Sequence, residues 1–198
     1  DYGVLPQATL GNPILPDFHA DPEVLYSRQT GRYYVYTTTD GVAGWAGTYF
    51  TAYSSADLKE WVFEGNVLAL ATAQVIWASG NAWAPAIEEV MNDDGSYTYY
   101  LYFSGNAGQR KEIGVATAPT PVGPFTDHGE SIIKTSPAGG GQQIDVDVFT
   151  DPVSGTPYIY WGNGYMACAE LNPGRVSLRE GTTRVLTPPG GTRTAYAY

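Results

Sequence analysis

Short runs in which apolar and polar side chains alternate, punctuated by glycine, proline and Asx-rich turns, dominate the chain. Val24 and Tyr26, then Arg32-Tyr33-Tyr34-Val35-Tyr36-Thr37-Thr38, form two β-rich runs around Ser27-Arg28-Gln29-Thr30-Gly31, which predicts a hairpin. A glycine-spaced loop from Gly41 to Gly47, with Trp45 inside it, leads to a third run from Tyr49 to Ser55. Then comes Asp57-Leu58-Lys59-Glu60-Trp61-Val62-Phe63-Glu64-Gly65. No segment holds apolar residues at i, i+3, i+4 and i+7 over several turns, so no substantial helix is predicted. Residues 1 to 17 have no period and carry Pro6, Pro13 and Pro16, which reads as an extended lead-in.

The pattern repeats. Tyr99-Tyr100-Leu101-Tyr102-Phe103-Ser104 echoes Tyr33 to Thr38, and Ile113 to Thr117, followed by Phe125 and Gly129, echoes Phe50 through Trp61 and Gly65. A third copy starts at Ile144, with Pro157-Tyr158-Ile159-Tyr160-Trp161 and then Tyr165 to Ala169. Tyr36, Tyr102 and Tyr160 mark the same place in each copy, about 60 residues apart. Roughly four strands per period describes an all-β propeller with blades at about 18–76, 77–140 and 141–186, and a connector at 187–198. An immunoglobulin-like sandwich is the rival all-β fold, and it lacks self-similarity at this period.

With 43% hydrophobic and 15% charged residues, the 198-residue chain can build a core of one domain. No run approaches the ~18 to 20 apolar residues that cross a bilayer. The chain starts at Asp1, which fits a secreted protein whose leader has been removed. Twenty acidic against ten basic residues give a net charge of −10, which disfavours nucleic acid and anionic membranes as partners and suits a neutral oligosaccharide or polysaccharide. Sixteen tyrosines and five tryptophans serve an aromatic β core or the apolar faces of sugars. The lone Cys168 reads as a buried structural thiol, and no Cys/His cluster of zinc type exists. Asp93-Asp94-Gly95 reads as a hairpin turn, since the other ligands of a calcium loop are missing.

Chemistry concentrates at the start of the repeats. In Gln142-Gln143-Ile144-Asp145-Val146-Asp147-Val148-Phe149, alternation puts Ile144, Val146 and Val148 on one face and Asp145 and Asp147 on the other. Such acids line a wet channel or site, or face solvent on an edge strand. Asp21, in Phe18-His19-Ala20-Asp21-Pro22-Glu23, holds the comparable position in the first copy. First strands of propeller blades face the central axis, so Asp21 and Asp145 are expected to converge. Convergent carboxylates are what glycoside hydrolysis requires.

A set of short motifs gives a more specific indication. Asn12-Pro13-Ile14-Leu15-Pro16, His19-Ala20-Asp21-Pro22, Trp83-Ala84-Pro85, Ile113-Gly114-Val115-Ala116, Pro121-Val122-Gly123-Pro124-Phe125 and Ile144-Asp145 follow in the order and spacing of glycoside hydrolase family 43, which the chain resembles from about Asn12 to Tyr198. The resemblance implies a five-bladed propeller of which this chain supplies about the first three blades and the connector to the fourth. It also implies an inverting, exo-acting glycosidase of plant cell-wall glycans. By it, Asp21 is the general base, Asp145 tunes and orients the proton donor, with Asp147 as the alternative, and Trp83 walls the sugar pocket. Val146 stands where the family more often has proline. His19 is expected either to hydrogen-bond the base or the sugar or to be a satisfied structural histidine. The loop around Trp45, with Thr37-Thr38-Thr39-Asp40-Gly41, resembles the α-L-arabinofuranosidase members more than the β-xylosidases. The base and the acid are expected roughly 6.5 to 9.5 Å apart, with a water between.

The family's general acid is a glutamate in an Arg-Glu-Gly/Ala-Pro context. Arg179-Glu180-Gly181 lacks the proline and precedes the connector, so the acid is expected beyond Tyr198, outside this chain. A C-terminal fragment of the same polypeptide would then complete the ring. Without the acid, the chain by itself reads as a non-catalytic carbohydrate-binding propeller. No cofactor is expected; some members hold an ion in the central channel, and no residues for one can be read here.

Overall fold

The computed structural model describes residues 13–188. Its strands form three four-stranded antiparallel meanders, each in sequence order. The first comprises β1 (His19–Ser27), β2 (Arg32–Thr39), β3 (Tyr49–Ser55) and β4 (Val62–Ala69). The second comprises β5 (Trp83–Met91), β6 (Tyr97–Ala107), β7 (Arg110–Ala118) and β8 (Thr126–Asp127). The third comprises β9 (Asp147–Thr150), β10 (Pro157–Trp161), β11 (Ala167–Glu170) and β12 (Arg184–Val185). The only helical segment described is one 3-10 turn, Ala43–Trp45. The lead-in up to residue 12 and the connector from 189 on lie outside the described residues.

Turn chemistry closes the hairpins where the sequence predicts it. Gly31 donates to the Ser27 carbonyl at 2.8 Å in the first hairpin. Asp93-Asp94-Gly95 forms the β5–β6 turn, where Gly95 has φ of 83°, a left-handed conformation that side chains resist. Asp57 caps the β3–β4 turn by accepting the Lys59 and Glu60 amides.

The second sheet is buried on both faces, and the alternation of β6 sorts its side chains between two cores. Tyr99, Leu101 and Phe103 pack toward the first sheet, against Tyr34, Tyr36, Phe50 and Leu68. Tyr102 packs toward the third sheet with Ile159 and Trp161. Neighbouring acids on β5 staple the sheets together because they point to opposite faces. Glu89 accepts the Arg28 and Gln29 amides and the Tyr99 hydroxyl, the last at 2.6 Å. Burial would raise its pKa, yet the Tyr99 and Ser27 hydroxyls and those amides hold it below the ordinary value. Glu88 meets Arg175 of the third sheet's β11–β12 connection at 2.7 Å, and both are largely buried.

The inner strands meet in order, β1 against β5 and β5 against β9. Cys168 is half-buried, not the fully buried thiol expected. Ala167 and Ala169 take the core face of β11, and alternation turns Cys168 to the outer face beside Tyr160.

Candidate active site

At one end of the inner strands lies a cavity of about 280 Å³, close to the lower end of ligand pockets at roughly 300 Å³. That volume suits one sugar ring. Asp21 comes from the first sheet, Trp83 from the second and Asp145 from the segment entering the third, while Ala20, Thr38, Thr39, Asp40 and Trp45 complete the lining. The inner strands of the first two sheets and the segment entering the third each carry one residue in left-handed conformation here: Asp21 at φ 47°, Ala84 at φ 44° and Asp145 at φ 57°. In β1 and β5 the register slips across the bend, between Ala20 and Glu23 and between Trp83 and Ala86.

Asp21 is held by a two-bond relay. The Thr38 hydroxyl, on β2, donates to the Asp21 carboxylate at 3.0 Å. Its oxygen accepts the Ala84 amide of β5 at 2.7 Å. A hydroxyl has one proton, so accepting from Ala84 aims that proton at Asp21. The second sheet thereby fixes a carboxylate of the first.

Asp145 has its pKa raised, first by burial and then by the negative charge of Asp21. The two carboxylates therefore sense one another across the cavity. A second acidic pair lies two residues along the same strands. Glu23 is pushed up to about 7 by burial and by Asp147, which does not line the cavity.

Two tryptophans wall the site. The Trp45 carbonyl accepts the indole N–H of Trp83 at 2.7 Å and the Asn81 amide at 2.8 Å. This pins the Gly41–Gly47 loop over the second sheet and consumes the polar edge of Trp83, leaving its apolar face as the feature a sugar can meet. Trp45 itself is 69% exposed.

The structure thus brings Asp21, Asp145, Trp83 and Trp45 together, but not His19. One ring nitrogen of His19 bonds the Thr37 hydroxyl at 2.8 Å, and the other approaches the Tyr53 hydroxyl at 3.3 Å. Its ring stands edge-on to Tyr53 and lines a separate cleft over the first sheet. The bend at Asp21 breaks strand alternation, so residues 19 and 21 do not share a face. Thr38 and Asp40 line the cavity, although the sequence names them only as part of the Thr37–Gly41 run and gives them no role. The available signal was the place of Thr38 near the end of β2, opposite Ala20 in the hairpin, with Asp40 just beyond the strand.

Comparison with known proteins bears on what such a site belongs to. The model for glycosyl hydrolases family 43 matches residues 10–197. The chain belongs to that family. A beta-D-galactofuranosidase of Aspergillus niger is 33% identical over 91% of this chain and 53% of its own length. An arabinoxylan arabinofuranohydrolase of Bacillus subtilis is 31% identical over 77% of this chain and 33% of its own. Among solved structures, a beta-xylosidase/alpha-arabinofuranosidase from a compost microbial metagenome superposes with TM-score 0.70 at 22% identity, covering 86% of this chain and 59% of that one. The chain spans a third to a half of the length of these curated relatives.

For a member of family 43, two further positions matter. Glu180 lies in the connection between β11 and β12, toward the outer edge of the third sheet, and does not line the cavity. Among the described residues, no three His, Cys, Asp or Glu side chains come together as metal ligands.

Proposed function

We propose that this chain is the base-carrying part of an inverting, exo-acting glycosidase that removes terminal furanosyl residues, arabinofuranosyl first, from plant cell-wall glycans outside the cell. The observation that carries the reading is the convergence of Asp21 and Asp145 with Trp45 and Trp83 in a cavity sized for one ring. Asp21, oriented by Thr38, takes a proton from water as the water attacks the anomeric carbon. Asp145, whose proton is retained to higher pH by burial and by Asp21, tunes and orients the proton donor. That donor, a glutamate, comes from the remainder of the polypeptide and protonates the leaving oxygen.

Two exposed faces support a further segment that completes the ring. On the first sheet, Val24 and Phe63 end a cross-strand row that runs through the buried Val35 and Tyr53, beside Tyr26 and Tyr33; Val24, Tyr26 and Phe63 are more than half exposed. On the third sheet, Phe149 and Tyr158 pair on the face opposite the core. The lean toward furanosides draws on the relatives whose names are galactofuranosidase and arabinofuranohydrolase. A β-xylosidase is the second reading, drawing on the xylosidase structure.

The test uses the complete polypeptide on aryl α-L-arabinofuranoside, aryl β-D-galactofuranoside and aryl β-D-xyloside, with product configuration read by proton NMR. Asp21→Asn is expected to lose a factor of about 10² to 10⁴ in kcat/KM. Undiminished turnover in that variant, or a product of retained configuration, refutes the mechanism.

A further inference from the structure

Beside the sugar cavity lies a larger groove, of about 440 Å³, walled by the β6–β7 turn at Arg110 and Lys111 and by the crossing from the second to the third sheet. One side chain joins the two spaces. Lys111 lines the groove, and its ammonium sits 3.8 Å from the centroid of the Trp83 ring that walls the cavity. The groove's charge runs against that of the chain. Arg110, Lys111 and Lys134 line it and no Asp or Glu does, in a protein with twice as many acidic as basic residues.

The three cations are not equivalent. Arg110 reaches Glu112 at 3.2 Å and Lys134 reaches Glu130 at 2.5 Å. Among the described residues, Lys111 makes no ion pair. Its ammonium donates to the Asn106 side-chain oxygen at 2.6 Å; Asn106 in turn donates to Asn81, whose amide holds the Trp45 carbonyl. Burial without a compensating carboxylate pulls the Lys111 pKa down to about 8. A half-buried ammonium with only neutral partners is electrostatically unfinished, and an incoming anion completes it. Support of the Trp83 ring explains the cation–π contact. It does not explain an acid-free groove holding two further cations.

We propose that this groove is a second glycan subsite, which takes a carboxylate-bearing sugar, a uronic acid unit of a branched polysaccharide, next to the residue held in the cavity. The assignment rests on the reading of the cavity as a sugar site. Lys111 contacts the carboxylate, and the polar lining, Ser136 and Gln142 included, faces the hydroxyls.

The test is calorimetric titration of the complete polypeptide, made slow to turn over by Asp21→Asn. The probes are a xylo-oligosaccharide with one glucuronosyl branch and the same compound as its methyl ester, which keeps the size and removes the charge. The acid is expected to bind about tenfold more tightly than the ester at low salt. The preference shrinks in about 0.5 M salt, disappears with Lys111→Met and persists with Lys111→Arg. Equal affinity for acid and ester in the protein that retains Lys111 overturns the proposal without requiring any change at Lys111 to fold. So does a preference that survives Lys111→Met. Aryl furanoside hydrolysis by the unsubstituted polypeptide separates the two readings. Hydrolysis with no acid preference sinks the subsite alone, and acid preference with no hydrolysis sinks the glycosidase alone.

Discussion

Replacing Thr38 with valine preserves the outline of the side chain and removes the oxygen on which two sheets depend. Two bonds go at once: the 3.0 Å donation to Asp21 and the 2.7 Å acceptance from the Ala84 amide. A hydrogen bond to a charged group contributes about 1.5 to 3 kcal/mol. If that bond holds Asp21 in its reactive setting, its loss lowers kcat/KM by about 10- to 100-fold. The loss is smaller than that of Asp21→Asn, because the carboxylate itself stays. The second bond affects stability. Thr38 is 5% and Ala84 9% exposed, so an orphaned Ala84 amide costs about 1 to 3 kcal/mol and lowers Tm by several degrees. Steady-state kinetics and thermal denaturation of Thr38→Val and Thr38→Ser in the complete polypeptide read the two effects apart. Serine restores the hydroxyl without the methyl group and is expected to retain activity within about threefold. A folded Thr38→Val protein with full kcat/KM refutes the relay. Equal damage from serine and valine would assign the effect to methyl packing instead.

Trp45→Ala removes an exposed ring but leaves the backbone carbonyl that Trp83 and Asn81 use, so KM is expected to rise about tenfold with little change in Tm; unchanged KM would remove Trp45 from the sugar site. Glu89→Ala leaves the Arg28 and Gln29 amides and Tyr99 without their shared acceptor, and about 3 kcal/mol of stability is expected to be lost in chemical denaturation, against less than 1 for an exposed acid. Glu23, with a folded pKa of about 7, binds its proton more tightly in the folded chain than in the unfolded one. Stability attributable to it is therefore fully present below pH ~4.5 and lost as pH rises toward 7, by about 1 kcal/mol once screening at a partly exposed group is allowed for. Glu23→Gln should flatten that part of the pH–stability curve, and an unchanged slope would contradict the assignment.

The repeat was legible because β6 is buried on both sides: its Tyr99 to Phe103 run must be apolar throughout, and its echoes in the other sheets stand out against polar turns. Asp21 and Asp145 were legible from their shared place in that repeat. What was hidden arises between strands or at departures from regular geometry. The Thr38 relay joins residues on three strands of two sheets, and no local pattern encodes it. For His19 the sequence left two roles open, and the bend at Asp21 decides its place: the ring turns to Thr37 and Tyr53 and away from the carboxylate. Neither the bend at Asp21 nor that at Ala84 could be read from a following proline, since Pro22 and Pro85 favour an extended residue before them. Lys111 sits beside a hairpin turn, where a charged residue ordinarily means only solvent.

The bends themselves link fold to chemistry. A left-handed non-glycine residue costs roughly 1 kcal/mol or more, and three occur where the chain runs past the cavity, at Asp21 in β1, at Ala84 in β5 and at Asp145 just before β9. A regular strand would send alternate side chains to the neighbouring sheets, where carboxylates would meet the cores around Tyr36 and Ile159. The bend takes one residue out of that alternation, so that Asp21 and Asp145 reach the cavity instead. In the second sheet the bend carries no acid, yet its geometry is used: the Ala84 amide bonds the Thr38 hydroxyl, and Trp83 just before it walls the cavity. The same backbone departure thus presents a carboxylate in two places and a backbone amide in the third. Placement of the first carboxylate depends on a bend in a different sheet.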